Sequence, residues 1–318
     1  MHHLLDRTDV DAAHERIRPW IRETPVLAVG GEVSGLDAAP ALLKLDCLQK
    51  TGSFKVRGAF SALLAEPVPA AGVVAASGGN HGAAVAYAAR QLGHSAAIFV
   101  PETAPAVKVQ RLRDYGAAVH QVGAIYAEAY VAACLYRDRT GARLVHAFDE
   151  PAVVAGQGTA AVEFEAQAEG YGGFDTLLVA VGGGGLLGGT IAALAHRNVR
   201  IVAVESYGTP TLARALEAGQ PVDVRVEGLA ADALGASRIG TLGFALAQAH
   251  LHANVLVADD AIRATQQRLW RELHILVEPG GAAALAALAS GAYRPAAGER
   301  VGVILCGSNA ELVGILDA

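Results

Sequence analysis

The chain has 318 residues, 53% hydrophobic, 18% charged and 5% aromatic, with a formal net charge of −6 at neutral pH. Such a chain can bury one large core or two ordinary ones, which excludes a disordered or fibrous protein. Its interspersed charges offer no basic stripe for nucleic acid and no polybasic patch for a membrane.

Leu, Ala, Val and Gly outnumber aromatics, which suits helices layered on sheets, so the expected class is α/β. The opening stretch MHHLLDRTDV lacks the apolar core of a signal peptide, and no later apolar run reaches the roughly 20 residues that span a bilayer. A cytoplasmic protein is expected. Cys47, Cys134 and Cys306 are odd in number and widely spaced, which argues against a disulfide framework or a cysteine-rich zinc site.

Lysine occurs only four times, at Lys44, Lys50, Lys55 and Lys108. In KTGSFKVRGA, Ser53, Phe54 and Lys55 open an amphipathic helix with an uncapped first turn, from which Lys55 can project into a cleft. Taken alone, a lysine in this setting is ordinarily a solvated surface residue. From Gly72 the chain alternates VVAA, a Gly-rich turn, AAVAYAARQLG, SAAIFVP, VKVQRLRDYG and AAVHQV. This reads as strand, helix, strand, helix, strand, with Gly93 and Gly116 as left-handed helix ends. Segment 72–148 is thus a parallel-sheet unit of its own. After Pro151 the pattern restarts with helix GQGTAAVEFEAQAEG, strand TLLVAV, the run GGGGLLGG, helix TIAALAHR and strand VRIVAVE. A polar region of low periodicity, 206–255, follows. Then come a helix from about Asp259 to Leu273, a small-residue helix GGAAALAALAS and a last strand VGVILC. Two α/β lobes, the smaller inserted in the larger, would leave a cleft at their strand ends.

The run VGGGGLLGG follows an apolar strand and opens a helix, so its backbone N–H groups and the helix dipole suit a phosphate. Gly183, Gly185 and Gly188 also fit the dinucleotide pattern G-x-G-x-x-G, with Glu205 ending the next strand where a ribose would need an acid. A third reading is close helix–strand packing only. Lys55 breaks the tie. An amine forms a Schiff base with an aldehyde cofactor, and a nearby phosphate cradle selects pyridoxal 5′-phosphate, whereas a nicotinamide enzyme needs no such lysine.

KTGSFKVRGA, ASGGNHGAAVA, VGGGGLLGG, VEPGGAAALAAL and LCGSN stand in the order and spacing of the pyridoxal-phosphate fold-type II ammonia-lyases. The chain resembles the threonine/serine dehydratases and their relative serine racemase along nearly all of its length. The resemblance implies the tryptophan synthase β-like fold: two lobes, each with a mostly parallel sheet flanked by helices. Residues 1–71 and 149–318 would form the large cofactor domain and 72–148 the small one. It also implies Lys55 as cofactor anchor and α-proton base, Phe54 beside the ring, and Asn80 on the cofactor's 3′-oxygen. Gly182, Gly183, Gly184, Gly185 and Leu186 match the phosphate loop, and Cys306 falls opposite the pyridine nitrogen. Ser77, Gly78, Gly79, Asn80 and His81 form the substrate loop, in which His81 either touches substrate or orders the turn. A neutral Cys306 would leave the ring a shallow electron sink, favouring loss of a β-hydroxyl over reprotonation.

The expected activity is therefore dehydration and deamination of a β-hydroxy amino acid, foremost L-threonine or L-serine, to a 2-oxo acid and ammonia. Serine racemase-like activity is the nearest alternative, but the racemase carries a serine where Gly78 stands. Hydroxyaspartate or phenylserine lyases are further alternatives. An NAD-type oxidoreductase and a non-catalytic metabolite-binding protein are the readings from other classes. Relatives take a cation through two acids six residues apart; Glu205 supplies the first, but Thr211 stands at the second, so a possible cation rests on Glu205, otherwise a surface or interlobe acid. Glu278 either lies near the ring or only begins a helix. The resemblance implies a homodimer, and with only a short stretch after LCGSN no C-terminal regulatory domain is expected.

Overall fold

The computed structural model of the chain describes residues 4–35, 40–311 and 315. The first three residues of MHHLLDRTDV lie outside them. In chain order the elements are α1 (Arg7–Ile17), β1 (Val26–Val29), α2 (Gly31–Ser34), β2 (Ala41–Lys44), α3 (Lys55–Ala65), β3 (Val73–Ala76) and α4 (Asn80–Gln91). Then follow β4 (Ala96–Val100), α5 (Ala106–Asp114), β5 (Ala118–Gln121), α6 (Tyr126–Thr140), β6 (Arg143–Leu144), α7 (Pro151–Ala168), β7 (Thr176–Ala180) and α8 (Gly185–Leu194). The rest are β8 (Arg200–Ser206), α9 (Thr211–Ala218), α10 (Ala231–Leu234), α11 (Thr241–His250), β9 (Ala253–Val257), α12 (Asp259–Leu273), α13 (Pro279–Ala289) and β10 (Val301–Ile304).

Two sheets organise these elements. The larger runs β1-β2-β10-β7-β8-β9, parallel throughout except for β1 against β2. The smaller runs β5-β4-β3-β6 and is wholly parallel. Strands β3, β4, β7 and β10 are buried along their full length, as parallel strands covered by helices on both faces must be. The alternation of a strand splits the smaller sheet's core in two. Val73, Ala75, Ile98 and Val100 pack on one face and Val74, Ala76, Ala97 and Phe99 on the other.

Helix α3, placed by sequence in the larger unit, sends Val56, Ala59, Phe60 and Leu63 into the core of the smaller sheet. It thus lies at the seam of the two sheets. Gly93 and Gly116 take the left-handed conformation expected of them, φ +77° and +86°. The unplaced region 206–255 contains α9, α10, α11 and the edge strand β9, whose half-buried residues show no clean alternation. Helix α6 also carried no sequence signal, because only Ala129 and Ala133 of its residues are buried. No helix among the described residues is long and apolar enough to cross a membrane.

The motifs singled out in the sequence follow the carboxyl ends of parallel strands. β3 leads into the Ser77–Asn80 loop, β7 into the glycine run and β10 into Cys306. Open parallel sheets bind ligands at such ends.

Candidate active site

Lys55 is the first residue of α3, and no side chain caps that helix end. The segment before it is sewn to the LCGSN motif from the other end of the chain. Phe54 N–H donates to the Cys306 carbonyl at 3.0 Å and Ser308 N–H to the Gly52 carbonyl at 2.8 Å. The Asn309 side chain donates to the Thr51 carbonyl at 2.9 Å. Lys55 Nζ donates to the Ala147 carbonyl at 2.8 Å and lies 5.2 Å from the centre of the Phe54 ring. Burial pulls the amine down to about 8, because the charged form is poorly solvated there.

Two residues further on, Arg57 is fully buried and anchors α3. Its guanidinium bonds Asp46 at 2.6 Å and Glu163 at 3.1 Å, and Glu163 also pairs with buried Lys44. Two cations and two carboxylates thus balance beneath the helix that presents Lys55. Asp46 holds its ionised form through Arg57 although burial opposes it, so its pKa is lowered.

The glycine run from Gly182 turns into the N-terminus of α8, with Gly184 at φ +85°. Among the described residues, no backbone carbonyl takes the N–H groups of Gly183, Gly184, Gly185 or Leu186. A Cβ at Gly183 would fall 2.2 Å from the Phe148 ring, so only glycine fits there. Sequence reasoning missed Phe148. The segment that carries it, HAFDE, is shaped by His146, whose Nδ1 accepts from the N–H groups of Phe148 and Asp149 at 3.3 and 2.9 Å. Histidine two residues before an aromatic is too common a pattern to have flagged either residue.

In the SGGNHG loop, Ser77 Oγ accepts from Gly79 N–H at 3.2 Å, a local turn bond. Asn80 is held from both sides: its Nδ2 donates to Glu278 at 2.6 Å and its Oδ1 accepts from Asn309. Burial pushes the Glu278 carboxyl up to about 7. His81 donates from Nε2 to the Val145 carbonyl at 3.0 Å, and burial together with the nearby Lys55 lowers it to about 3. That side chain is neutral and orders the turn. The Cys306 thiol bonds the Gly280 carbonyl at 3.4 Å, and burial raises its pKa well above the ordinary range, so it too is neutral.

Lys55, Phe54, Asn80, the four glycines, Leu186 and Cys306 therefore surround one enclosed cavity, with Phe148, Leu234 and Glu278 completing its wall. Gly78 and Gly79 face an adjoining cleft of about 470 Å³ that shares Asn80 and Glu278 with it. Ser77 and His81 line neither space.

Glu205 stands apart from this cavity and is fully buried, which corrects its reading as a surface acid. Its carboxylate accepts from Leu212 N–H at 2.7 Å, from Ala213 N–H at 2.9 Å and from Asn254 Nδ2 at 2.9 Å, with Thr211 Oγ at 3.2 Å. The three N–H donors take up most of its lone pairs, so the dinucleotide reading loses its acid, and this donor set does not fit a metal ion.

An enclosed lysine amine, a cradle of unclaimed N–H groups and a cavity lined by Phe54, Asn80 and Cys306 fit a phosphorylated heteroaromatic aldehyde. The fold and this cavity are those of an α/β enzyme that works with a cofactor. The profile of the pyridoxal-phosphate dependent enzyme family matches residues 17–307, and the chain belongs to that family. It is 35% identical to the L-threonine ammonia-lyase of Geobacter sulfurreducens, over 97% of this chain and 77% of that protein. It is 34% identical to the serine racemase of Dictyostelium discoideum, over 96% of this chain and 95% of the relative. Its structure superposes on that of a T.th. threonine deaminase with a TM-score of 0.90, at 36% identity, covering 96% of this chain and 99% of that one.

Proposed function

We propose that the protein is an ammonia-lyase that dehydrates and deaminates a β-hydroxy amino acid, foremost L-threonine or L-serine, to a 2-oxo acid and ammonia. The observation that carries this reading is the pairing of the buried Lys55 amine with a loop that has no side chain at Gly78. One group can move the α-proton, and the position that a racemase fills with a hydroxyl is bare. Pyridoxal phosphate, when bound, supplies the electron sink for the charge left at the α-carbon.

The residues divide the remaining work. The N–H groups of Gly183, Gly184, Gly185 and Leu186 hold the phosphate at the positive end of α8. Asn80, with its amide oriented by Glu278 and Asn309, would hold the cofactor's 3′-oxygen, and Phe54 would flank the ring. The backbone of Gly78 and Gly79, which face the adjoining cleft, would receive the substrate carboxylate, whereas Ser77, its N–H already given to the Phe99 carbonyl, would only shape the loop. Lys55, its pKa pulled down to about 8, has a neutral fraction near neutral pH with which to take the α-proton. Cys306, a neutral thiol bonded to the Gly280 carbonyl, would offer the ring nitrogen no carboxylate to hold a proton, which favours loss of the β-hydroxyl over reprotonation. Water then completes the release of ammonia from the product. Family resemblance extends this reading to a cytoplasmic homodimer and to 72–148 as the small domain.

The test is direct. Purified protein incubated with L-threonine or L-serine should release 2-oxobutanoate or pyruvate with equimolar ammonia, and Lys55→Ala should release neither. A colourless protein that binds a nicotinamide dinucleotide would sink the proposal.

A further inference from the structure

We propose that Glu205, Thr211 and Asn254 form a metal-free brace for the phosphate-binding loop, so that cofactor binding and stability do not depend on a divalent cation. The place is the one where the resemblance would put a cation, and this chain fills it with hydrogen-bond donors.

The argument starts at the end of β8, where Glu205 is fully buried. Its Oε1 accepts from Leu212 N–H at 2.7 Å and sits 3.2 Å from Thr211 Oγ. Its Oε2 accepts from Ala213 N–H and from Asn254 Nδ2, both at 2.9 Å. A carboxylate has about four lone-pair sites; three N–H donors take up three of them, and the Thr211 hydroxyl, which spends its one hydrogen on Gly182, packs against the fourth. Two are first-turn N–H groups of α9, so the positive end of that helix occupies the side from which a cation would approach. A metal ion would face hydrogens there instead of oxygen lone pairs. The only oxygen of these three side chains without a partner is Asn254 Oδ1, where a hard cation of the calcium type takes about six to eight oxygens. Among the described residues, no group of three or more His, Cys, Asp or Glu side chains could hold an ion.

The brace reaches the phosphate loop through Thr211. Its hydroxyl lies 2.9 Å from the carbonyl of Gly182, the first glycine of the run, and donates its one hydrogen chiefly to this nearer acceptor. Asn254 on β9, Glu205 on β8, the N-terminal turn of α9 that Glu205 holds through Leu212 and Ala213, and Gly182 after β7, which Thr211 of that turn bonds, therefore form one connected chain across three neighbouring strands. Partial charges of the helix end and one amide do the electrostatic work that a cation would do. An aspartate at position 211 would have added a second buried negative charge and required an ion to neutralise it; threonine does not.

Cofactor-loaded wild-type protein is dialysed against EDTA and then supplied with Mg²⁺, Ca²⁺ or Mn²⁺, while melting temperature and cofactor affinity by fluorescence titration are followed. We expect the same melting temperature and affinity in every condition. A fall in either with EDTA that a metal reverses overturns the proposal. In a second arm, Thr211→Val keeps volume and removes the hydroxyl, with circular dichroism reporting the fold. The cofactor dissociation constant should rise about threefold to tenfold, the effect of one lost hydrogen bond, and Thr211→Ser should restore it. Unchanged affinity in a folded Thr211→Val protein also overturns it.

Discussion

Asn80 donates to the buried carboxyl of Glu278 across 198 residues of chain, at 2.6 Å. The two come from opposite sides of the seam between the sheets. This contact orients the amide that faces the cofactor cavity, and it makes a buried acid part of the site.

The folded-state pKa of Glu278 is raised to about 7 from 4.5, because burial disfavours the carboxylate more than Asn80 favours it. Between those values the folded protein binds more protons than the unfolded chain, so this group's contribution falls as pH rises through the window and is constant above it. Glu278→Gln removes the dependence. We expect urea denaturation at pH 5 and pH 8 to show the variant gaining on wild type by on the order of 1–3 kcal/mol at the higher pH.

Lys55 must be neutral to attack an aldehyde, and burial places its pKa at about 8 against 10.5 in water. The rate at which the cofactor-free protein takes up pyridoxal phosphate should therefore climb through pH 8 and level off well below pH 10. Stopped-flow absorbance follows it. Lys55→Ala should show no visible band that borohydride abolishes, and its kcat/KM should drop by at least about 10²–10⁴.

Gly78 has room for a side chain. A Cβ there would meet Val100 Cγ1 at 3.6 Å and Ala104 Cβ at 4.0 Å, ordinary contact distances. Gly78→Ser should fold with an unchanged melting temperature and place a hydroxyl beside the cleft. We expect D-serine to form from L-serine in the variant and not in wild type, measured by chiral chromatography, with 2-oxo acid release reduced.

The ion network under α3 is the fourth target. Asp46→Asn leaves the buried Arg57 guanidinium short of one carboxylate, and breaking a buried pair from one side costs about 3–5 kcal/mol. Chemical denaturation should show that loss. Because Arg57 lies two residues from Lys55, cofactor affinity should weaken as well, whereas the same destabilisation from an exposed pair such as Arg214–Glu217 is not expected.

Much of this was legible in the sequence because it rests on local chemistry. Short apolar runs and glycine helix ends marked the strands and helices from Gly72 to Gly116, and the glycine run after TLLVAV announced an anion cradle. Helix α6 escaped because an alanine-rich helix with two buried positions has no apolar stripe to read. Region 206–255 escaped because its anchors are not in its apolar pattern: the buried carboxylate of Glu205 satisfies the N-terminus of α9, and among the described residues the edge strand β9 pairs with β8 alone.

The same division holds at the site. By itself the sequence determined that Lys55, the SGGNHG loop, the glycine run and Cys306 belong together, since residue type and order carry that information. It could not say which polar groups are already used. Only the tertiary structure decided that Glu205 is already engaged by Asn254, that His81 is neutral and bonded to Val145, and that Phe148 closes over Gly183. Each of those depends on distances between residues far apart in the chain. A buried polar group has a free valence for a ligand only if no neighbour in space has taken it.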